Sequence, residues 1–163
     1  MYSDNIHYQI KLTIMQRISI KYGLIMFTGF VAFYLLMYIM GLGHRSEFRM
    51  FNGFIHLYCI YKSIQAYYNL HPENIGNYML GVTQGMGASV IGVGAYTAFI
   101  TIFLALEPNL MNLIRQNSNM AAYLNPFSVS LYILVEGIVV SLIGAYILTR
   151  VVDNQVKKEE FKA

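Results

Sequence analysis

A chain of 163 residues has room for about one domain, and 56% apolar against 12% charged residues is far from the roughly one-quarter charged balance of soluble domains. The composition is that of a membrane protein. The net charge of +3 is small and its basic residues sit at chain ends and loops, which argues against nucleic acid as a partner and leaves the lipid bilayer as the expected one.

The residues ahead of the first apolar run read two ways. Ile6, Ile10, Ile14 and Ile18 keep a helical spacing, while Ile10, Leu12, Ile14 and Ile18, Ile20, Tyr22 alternate as a strand would. The favoured reading is a helix at the membrane interface that continues into the first span, with Lys11, Arg17 and Lys21 at headgroup level. About twenty mostly polar residues precede that span and no A-x-A-like site follows it, so it is expected to stay as an anchor.

Four spans are expected, each judged against the ~20 apolar residues needed to cross a bilayer. The first, about 22–42 (YGLIMFTGFVAFYLLMYIMGL), carries no charge. The short link GHRSEFR makes the second span, about 50–68, its antiparallel neighbour. That span (MFNGFIHLYCIYKSIQAYY) holds Asn52, His56, Lys62 and Gln65, so it must be shielded by the others if it crosses. The link NLHPENIGN contains Pro and Gly and reads as a tight turn. The third span, about 78–106, is rich in glycine, and Gly85, Gly87, Gly92 and Gly94 leave room for a bent or broken helix. Pro108 then suits the start of a short amphipathic helix between spans three and four. The fourth span, about 127–149, is apolar apart from Glu136 and Ser141 near its middle and polar groups at its ends. The fold expected is therefore all-α, an integral-membrane four-helix bundle forming a single domain over 1–163.

Orientation follows from Lys and Arg. Lys11, Arg17, Lys21, Arg150, Lys157, Lys158 and Lys162 fall on one side, Arg45, Arg49 and Arg115 on the other. The positive-inside rule puts both termini in the cytoplasm. With no Trp in the chain, tyrosines must anchor the interfaces: Tyr22, Tyr67, Tyr68, Tyr78 and Tyr146 on the cytoplasmic side, Tyr38, Tyr123 and Tyr132 on the outer side.

Two constellations stand out. At ~1.5 Å per residue Glu136 lies roughly 14 Å below the outer surface, and His56 and Lys62 roughly 9 and 18 Å, so a lysine stem could bring Lys62 to the acid. With Gln65 and Gln84 these residues suggest an intramembrane polar layer of His56, Lys62, Gln65, Gln84 and Glu136. Such a layer is either an ion or proton path or an interhelical clamp that fixes register. The second constellation is a small-residue face: Gly81, Gly85, Ala88, Gly92 and Ala95 in the third span, and Gly137, Ser141 and Ala145 in the fourth, repeating every three or four residues. These would pack spans three and four together, or join a homo-oligomer or a larger membrane complex.

Several chemistries lack their motif. No phosphate-cradling glycine loop, H-E-x-x-H or C-x-x-C is present, and the lone Cys59 reads as a small core side chain. His7, His44 and His71 lie outside the spans, leaving no pair to ligate haem, so no metal and no cofactor is expected. Ser141, His56 and Glu136 could form a hydrolytic triad only if geometry aligned them.

The glycine-containing second span NGFIHLYCIYKSIQAYY, the YMLG start of the third, the LEPNLM and NPF segments around the amphipathic stretch, and the pair Glu136-Gly137 together resemble a family of small four-helix inner-membrane proteins of Bacteroidota, a domain of unknown function, the second span here being more polar than that pattern. The resemblance covers nearly the whole chain through loose motifs. It implies a multipass protein of the bacterial cytoplasmic membrane and supplies no catalytic residues. The functional expectation is a non-enzymatic accessory or scaffolding subunit; the alternative is a small transporter or channel with an intramembrane Glu/Lys proton or ion site.

Overall fold

Long apolar runs without internal proline favour helices, and the described residues of the computed structural model form five: α1 (Tyr2–Ile39), α2 (Met50–Leu70), α3 (Tyr78–Leu106), α4 (Pro108–Gln116) and α5 (Pro126–Glu160). The structure describes residues 2–43, 50–118 and 121–160, with side chains for 13–43, 50–118 and 122–156. Lys11, Arg45, Arg49, Lys157, Lys158 and Lys162, which carry most of the expected orientation signal, and the histidines His7 and His44 lie outside the described side chains. Among the described residues there is no strand.

The ambiguous N-terminal segment is helix. It runs without a break into the first span, giving 38 residues and a length of roughly 57 Å at ~1.5 Å each, nearly twice a ~30 Å hydrocarbon core. The expected interfacial helix is thus the extension of α1 and not a separate element. Gly41, at φ +75°, ends it: Gly41 N–H reaches Tyr38 O at 2.9 Å and Leu42 N–H reaches Met37 O at 2.9 Å. This is the Schellman pairing, which needs a left-handed residue and so favours glycine.

The α2–α3 link is the expected tight turn. Pro72–Asn74 form one 3-10 turn, and Gly76 takes φ +91°. Glycine does not break α3, which is continuous over Tyr78–Leu106. Pro108 opens α4, where its missing N–H is no loss, and Leu110 and Met111 bury the apolar side of that short helix. At the head of α5, Ser128 N–H donates to Asn125 Oδ1 at 2.8 Å and Asn125 N–H to Ser128 Oγ at 2.9 Å, a reciprocal cap ahead of the apolar run.

Among the described residues three helices are long and apolar enough to cross a membrane: Thr13–Ile39, Tyr78–Leu106 and Pro126–Val156. Helix α2 is too polar to join them by hydropathy and is instead sheltered, packing against α1, α3 and α5 with His56, Cys59, Ile60, Ser63, Ile64, Tyr67 and Tyr68 buried. Helix α3 touches the other three long helices, and α1 and α5 flank the α2/α3 pair.

Glycine makes those approaches possible. A Cβ at Gly81 would lie 2.5 Å from Tyr68 Oη and from Thr149 Cγ2; one at Gly85 would lie 3.0 Å from Ile60 and 3.1 Å from Ala145. One at Gly92 would lie 2.7 Å from Met26 Sδ and 3.0 Å from the Gly23 carbonyl, and Gly137 leaves room for Val93. The small residues of α3 therefore do not form one smooth face toward α5. Gly81 and Gly85 meet α2 and α5, whereas Gly92 meets α1, because α3 is enclosed on several sides. Gly137, Ser141 and Ala145 face inward, Ser141 and Ala145 being buried.

Tyrosine placement departs from the expected belts. Tyr67 and Tyr68 are both at 0% exposure, in the core. Their hydroxyls find partners in the turn: Asn74 Nδ2 donates to Tyr67 Oη at 3.2 Å and Tyr68 Oη donates to Asn77 O at 3.3 Å. Tyr78 and Tyr146 sit together at that end, with Tyr78 Oη donating to Tyr146 O at 2.6 Å and Arg150 over the Tyr78 ring at 5.5 Å.

Overpacking a close helix crossing costs about 1–3 kcal/mol. Gly85→Leu is expected to destabilise the bundle on that scale, whereas Gly94→Ala, which meets nothing within 4 Å, should leave stability unchanged or slightly raised. Denaturant unfolding of both variants in detergent checks the contrast; equal stability would mean that α3 is not closely enclosed.

Candidate functional site

Each polar side chain in the bundle was placed by its helix phase, and the phases sort the expected layer into separate groups. At 3.6 residues per turn, Asn52 and His56 lie one above the other on α2, while Lys62 is roughly 120° round the helix from His56. Lys62 follows that geometry. Its Nζ donates to Gln65 Oε1 at 2.9 Å on its own helix and lies 5.5 Å from the Tyr61 ring. The expected Lys62–Glu136 pairing and the Gln65–Gln84 meeting are thereby replaced by a local i,i+3 bond on α2.

Gln84, at 0% exposure, is instead held by serines from two other helices. Its Nε2 donates to Ser63 Oγ of α2 at 2.9 Å and to Ser19 Oγ of α1 at 3.1 Å, while its Oε1 is buried without a partner. This bond set ties three helices at one level.

His56 makes the second tie. Its Nε2 is 3.0 Å from Ser141 Oγ of α5 and 3.2 Å from Ser89 Oγ of α3, all three residues being buried. The Ser141 hydroxyl donates to Gly137 O at 2.6 Å, so Ser141 Oγ accepts from His56, and the network assigns the proton to Nε2. A nucleophilic triad needs the opposite arrangement, a ring nitrogen lone pair facing the serine hydroxyl. The contact of Ser141 with His56 is thus a packing bond across α2 and α5.

Glu136 is exposed, one residue and about 100° away from the inward Gly137. It lies on the wall of a cavity of about 280 Å³ that is also lined by Asn52, His56, Phe30, Tyr96 and Ile133. Met50 and Gly53, at the start of the described part of α2, also line it. The acid is therefore level with the start of α2 and not with its middle. It is ten residues, roughly 15 Å, into α5, which is long enough to rise above α2 at this end. We refer to the end where α1 stops and α2 begins as the upper end.

The cavity has an aromatic floor. Phe30 and Tyr96 have ring centroids 5.2 Å apart, and His56 meets Phe30 edge-on at 5.7 Å. Above them the rings continue between α1 and α3 through Tyr34, Phe99, Phe103 and Tyr38, with centroids 5.2–6.5 Å apart. Asn52 Oδ1 is buried with no hydrogen-bond partner. Sequence reasoning noted Asn52 without placing it in the layer, and it missed Ser19, Ser63 and Ser89 altogether. Their one signal was a lone hydroxyl on the buried stripe of an apolar helix. Among the described residues no group of three or more His, Cys, Asp or Glu side chains is placed to hold a metal ion.

No family model matches the chain, and neither a curated protein nor a solved structure does so. Among the described residues three helices are long and apolar enough to span, which supports a membrane protein, and buried polar side chains form interhelical ties at Gln84 and at His56 below a cavity at the upper end.

Removing one member of a buried hydrogen-bonded group leaves the other unpaired and costs about 1–3 kcal/mol, whereas replacing all members by apolar groups can be nearly neutral. Gln84→Met, which leaves the buried Ser19 and Ser63 hydroxyls without the amide, is expected to destabilise the bundle on that scale, and the triple replacement of Gln84→Met with Ser19→Ala and Ser63→Ala, which also removes the unpartnered Oε1, to recover most of the loss. Unfolding midpoints in detergent give the comparison. A triple variant no more stable than Gln84→Met would show that the amide does more than join helices.

Proposed function

We propose that the chain is a non-enzymatic, four-span accessory protein of the bacterial inner membrane, with both termini in the cytoplasm, that acts by recognition at its upper end and not by passing ions through its middle. The observation that carries this reading is the separation of the polar groups. Lys62 is bonded to Gln65 on one face of α2, Gln84 to two serines through its Nε2, and His56 to two more, so that these polar groups fall into separate clusters and not into one series. A proton or ion path needs a continuous series of exchanging groups with water between them. Polar groups on a wall with room beside them occur at the cavity of Asn52 and Glu136.

The fourth span in this reading is α2, shielded from lipid on its buried face by the other three long helices, which is how a helix with Asn52, His56 and Lys62 can cross. The membrane assignment rests on the three apolar helices and on the resemblance to Bacteroidota inner-membrane proteins. Association with itself or a larger complex would use surfaces other than Gly81, Gly85 and Gly92, whose open sides are filled within the chain.

The test is reconstitution into liposomes loaded with a pH-sensitive dye. The wild-type chain and Glu136→Gln should both leave the vesicles as tight to protons and potassium as empty ones. A flux that appears with the wild-type protein and disappears with Glu136→Gln would replace the accessory reading with a proton- or ion-coupled transporter.

A further inference from the structure

We infer that the groove between α1 and α3 at the lower end of the bundle, where α2 turns into α3, is a site for one anionic glycerophospholipid. It lies away from the upper cavity and does not depend on what that cavity recognises. The groove has a volume of about 350 Å³, inside the ~300–1,000 Å³ usual for ligand sites. Its wall residues Gln16, Ile20 and Thr83 are exposed, so it opens sideways onto lipid. It can therefore hold the glycerol-ester segment of a lipid and the head of one acyl chain, with the rest in the bilayer.

Three polar side chains on the wall have hydrogen-bonding capacity left over. Threonine hydroxyls in these helices bond back to the carbonyl four residues earlier, as Thr28, Thr97, Thr101 and Thr149 do at 2.7–2.9 Å. Among the described residues Thr83 makes no such bond, and the Gln16 side chain makes none either. Ser19, at 8% exposure, accepts from Gln84 Nε2 at 3.1 Å, which leaves its own proton to give. Counting fixes the Gln84 amide: as it stands one acceptor, Oε1, is unpartnered, whereas the reverse orientation would orphan two N–H groups. The Ser19 hydroxyl is aimed across the groove, 2.7 Å from where a Cβ on Gly87 of the opposite wall would lie. Two O–H donors and an amide thus meet one space. A phospholipid brings acceptor oxygens to them, those of its ester carbonyls and phosphate.

Depth selects the same segment. Tyr78, with Arg150 over its ring, marks the lower interface, and Thr83 is five residues, roughly 7.5 Å, further in. There the headgroup region, ~5–7 Å thick on each side, gives way to hydrocarbon. Beyond it the wall turns apolar with Ile20, Gly87 and Ile91, and Gly94, where a Cβ would meet nothing within 4 Å, leaves a shallow bed for a chain. Arg17 and Lys21, both exposed, follow Gln16 and Ile20 by one residue at the edge of the groove. Side chains tilt toward the start of their helix, here the lower end, so both cations reach back toward phosphate level and favour an anionic headgroup. A second copy of the chain, packed symmetrically, would instead set these cations against their like.

The experiment is native mass spectrometry of the full chain in mild detergent, titrated with phosphatidylglycerol, with its dialkyl ether analogue and phosphatidylcholine as controls. One phosphatidylglycerol should be retained per chain, about fivefold more tightly than the ether lipid, which lacks the carbonyls, or the choline lipid, whose headgroup is neutral. Gln16→Leu with Thr83→Val should abolish the preference for ester over ether and keep the preference for the anionic headgroup. Arg17→Gln with Lys21→Gln should do the reverse. All four positions are exposed, so neither pair disturbs the core. Lys62→Met removes a cation elsewhere and should change nothing. Equal affinity for phosphatidylglycerol and either control, uptake that does not saturate at one lipid per chain, preferences untouched by the two double variants, or an equal loss with Lys62→Met would overturn the site. So would a dimer that dissociates in the Gln16→Leu, Thr83→Val variant, which would put a second copy in the groove.

Discussion

Inside a bilayer, apolar side chains gain nothing from leaving lipid for one another, so helices associate through close contact and hydrogen bonds. That constraint makes α3 the organising element here. It meets α1, α2 and α5, and it can do so because glycine lies at the crossings on more than one of its sides: Gly81 and Gly85 where Tyr68, Ile60 and Ala145 approach, Gly92 where Met26 and the Gly23 backbone approach. A larger residue at any one crossing would push away a helix that also contacts its neighbours. The remaining helices respond with small residues of their own, as at Gly137, which receives Val93, and Gly23, which receives Ile91.

Close packing alone leaves the rotation and register of each helix weakly specified, and the buried hydrogen bonds supply that. Gln84 joins α3 to α1 and α2, and five residues further along Ser89 joins α3 through His56 to α2 and α5. Sliding any one helix by a residue would bury an unpaired amide or imidazole in a medium with no water to satisfy it, at a cost of several kcal/mol. The upper cavity inherits its shape from this arrangement. His56 belongs both to the second tie and to the cavity wall, so the positions of Phe30, Tyr96 and Glu136 around it are set by bonds made one turn deeper.

The helices were largely legible because their signals are local. Apolar length, Pro108, the turn around Pro72, and the polar residues of α2 marked the elements almost to their ends, and the short amphipathic helix was found by Pro108 and its Leu spacing. The candidate site was less legible because it depends on angle as well as depth. Reasoning from rise alone put Lys62 and Glu136 within reach of one another, yet His56 and Lys62, six residues apart, cannot share a face of one helix. The same arithmetic applied to α5 would have set Glu136 beside, and not on, the stripe of Gly137, Ser141 and Ala145. Tyr67 and Tyr68 misled differently: tyrosine near a helix end resembles an interfacial anchor, and only the fold of the following turn, which brings Asn74 and Asn77 to their hydroxyls, makes them core residues.

A carboxylate in an apolar helix calls for an explanation, and its level in the bundle provides one. Were Glu136 at mid-depth, a cost of about 2.5–3.5 kcal/mol would have to be met by a partner such as Lys62. Placed level with Met50, Asn52 and Gly53, it sits at the upper end of α2, away from Lys62. Helix α5, at 35 residues, is also long enough for this part of it to approach the membrane surface, where the cost of a charge falls. The acid is thus accommodated at the upper end of the bundle and not by pairing with Lys62 at its centre, which leaves Lys62 to bond with Gln65 on its own helix.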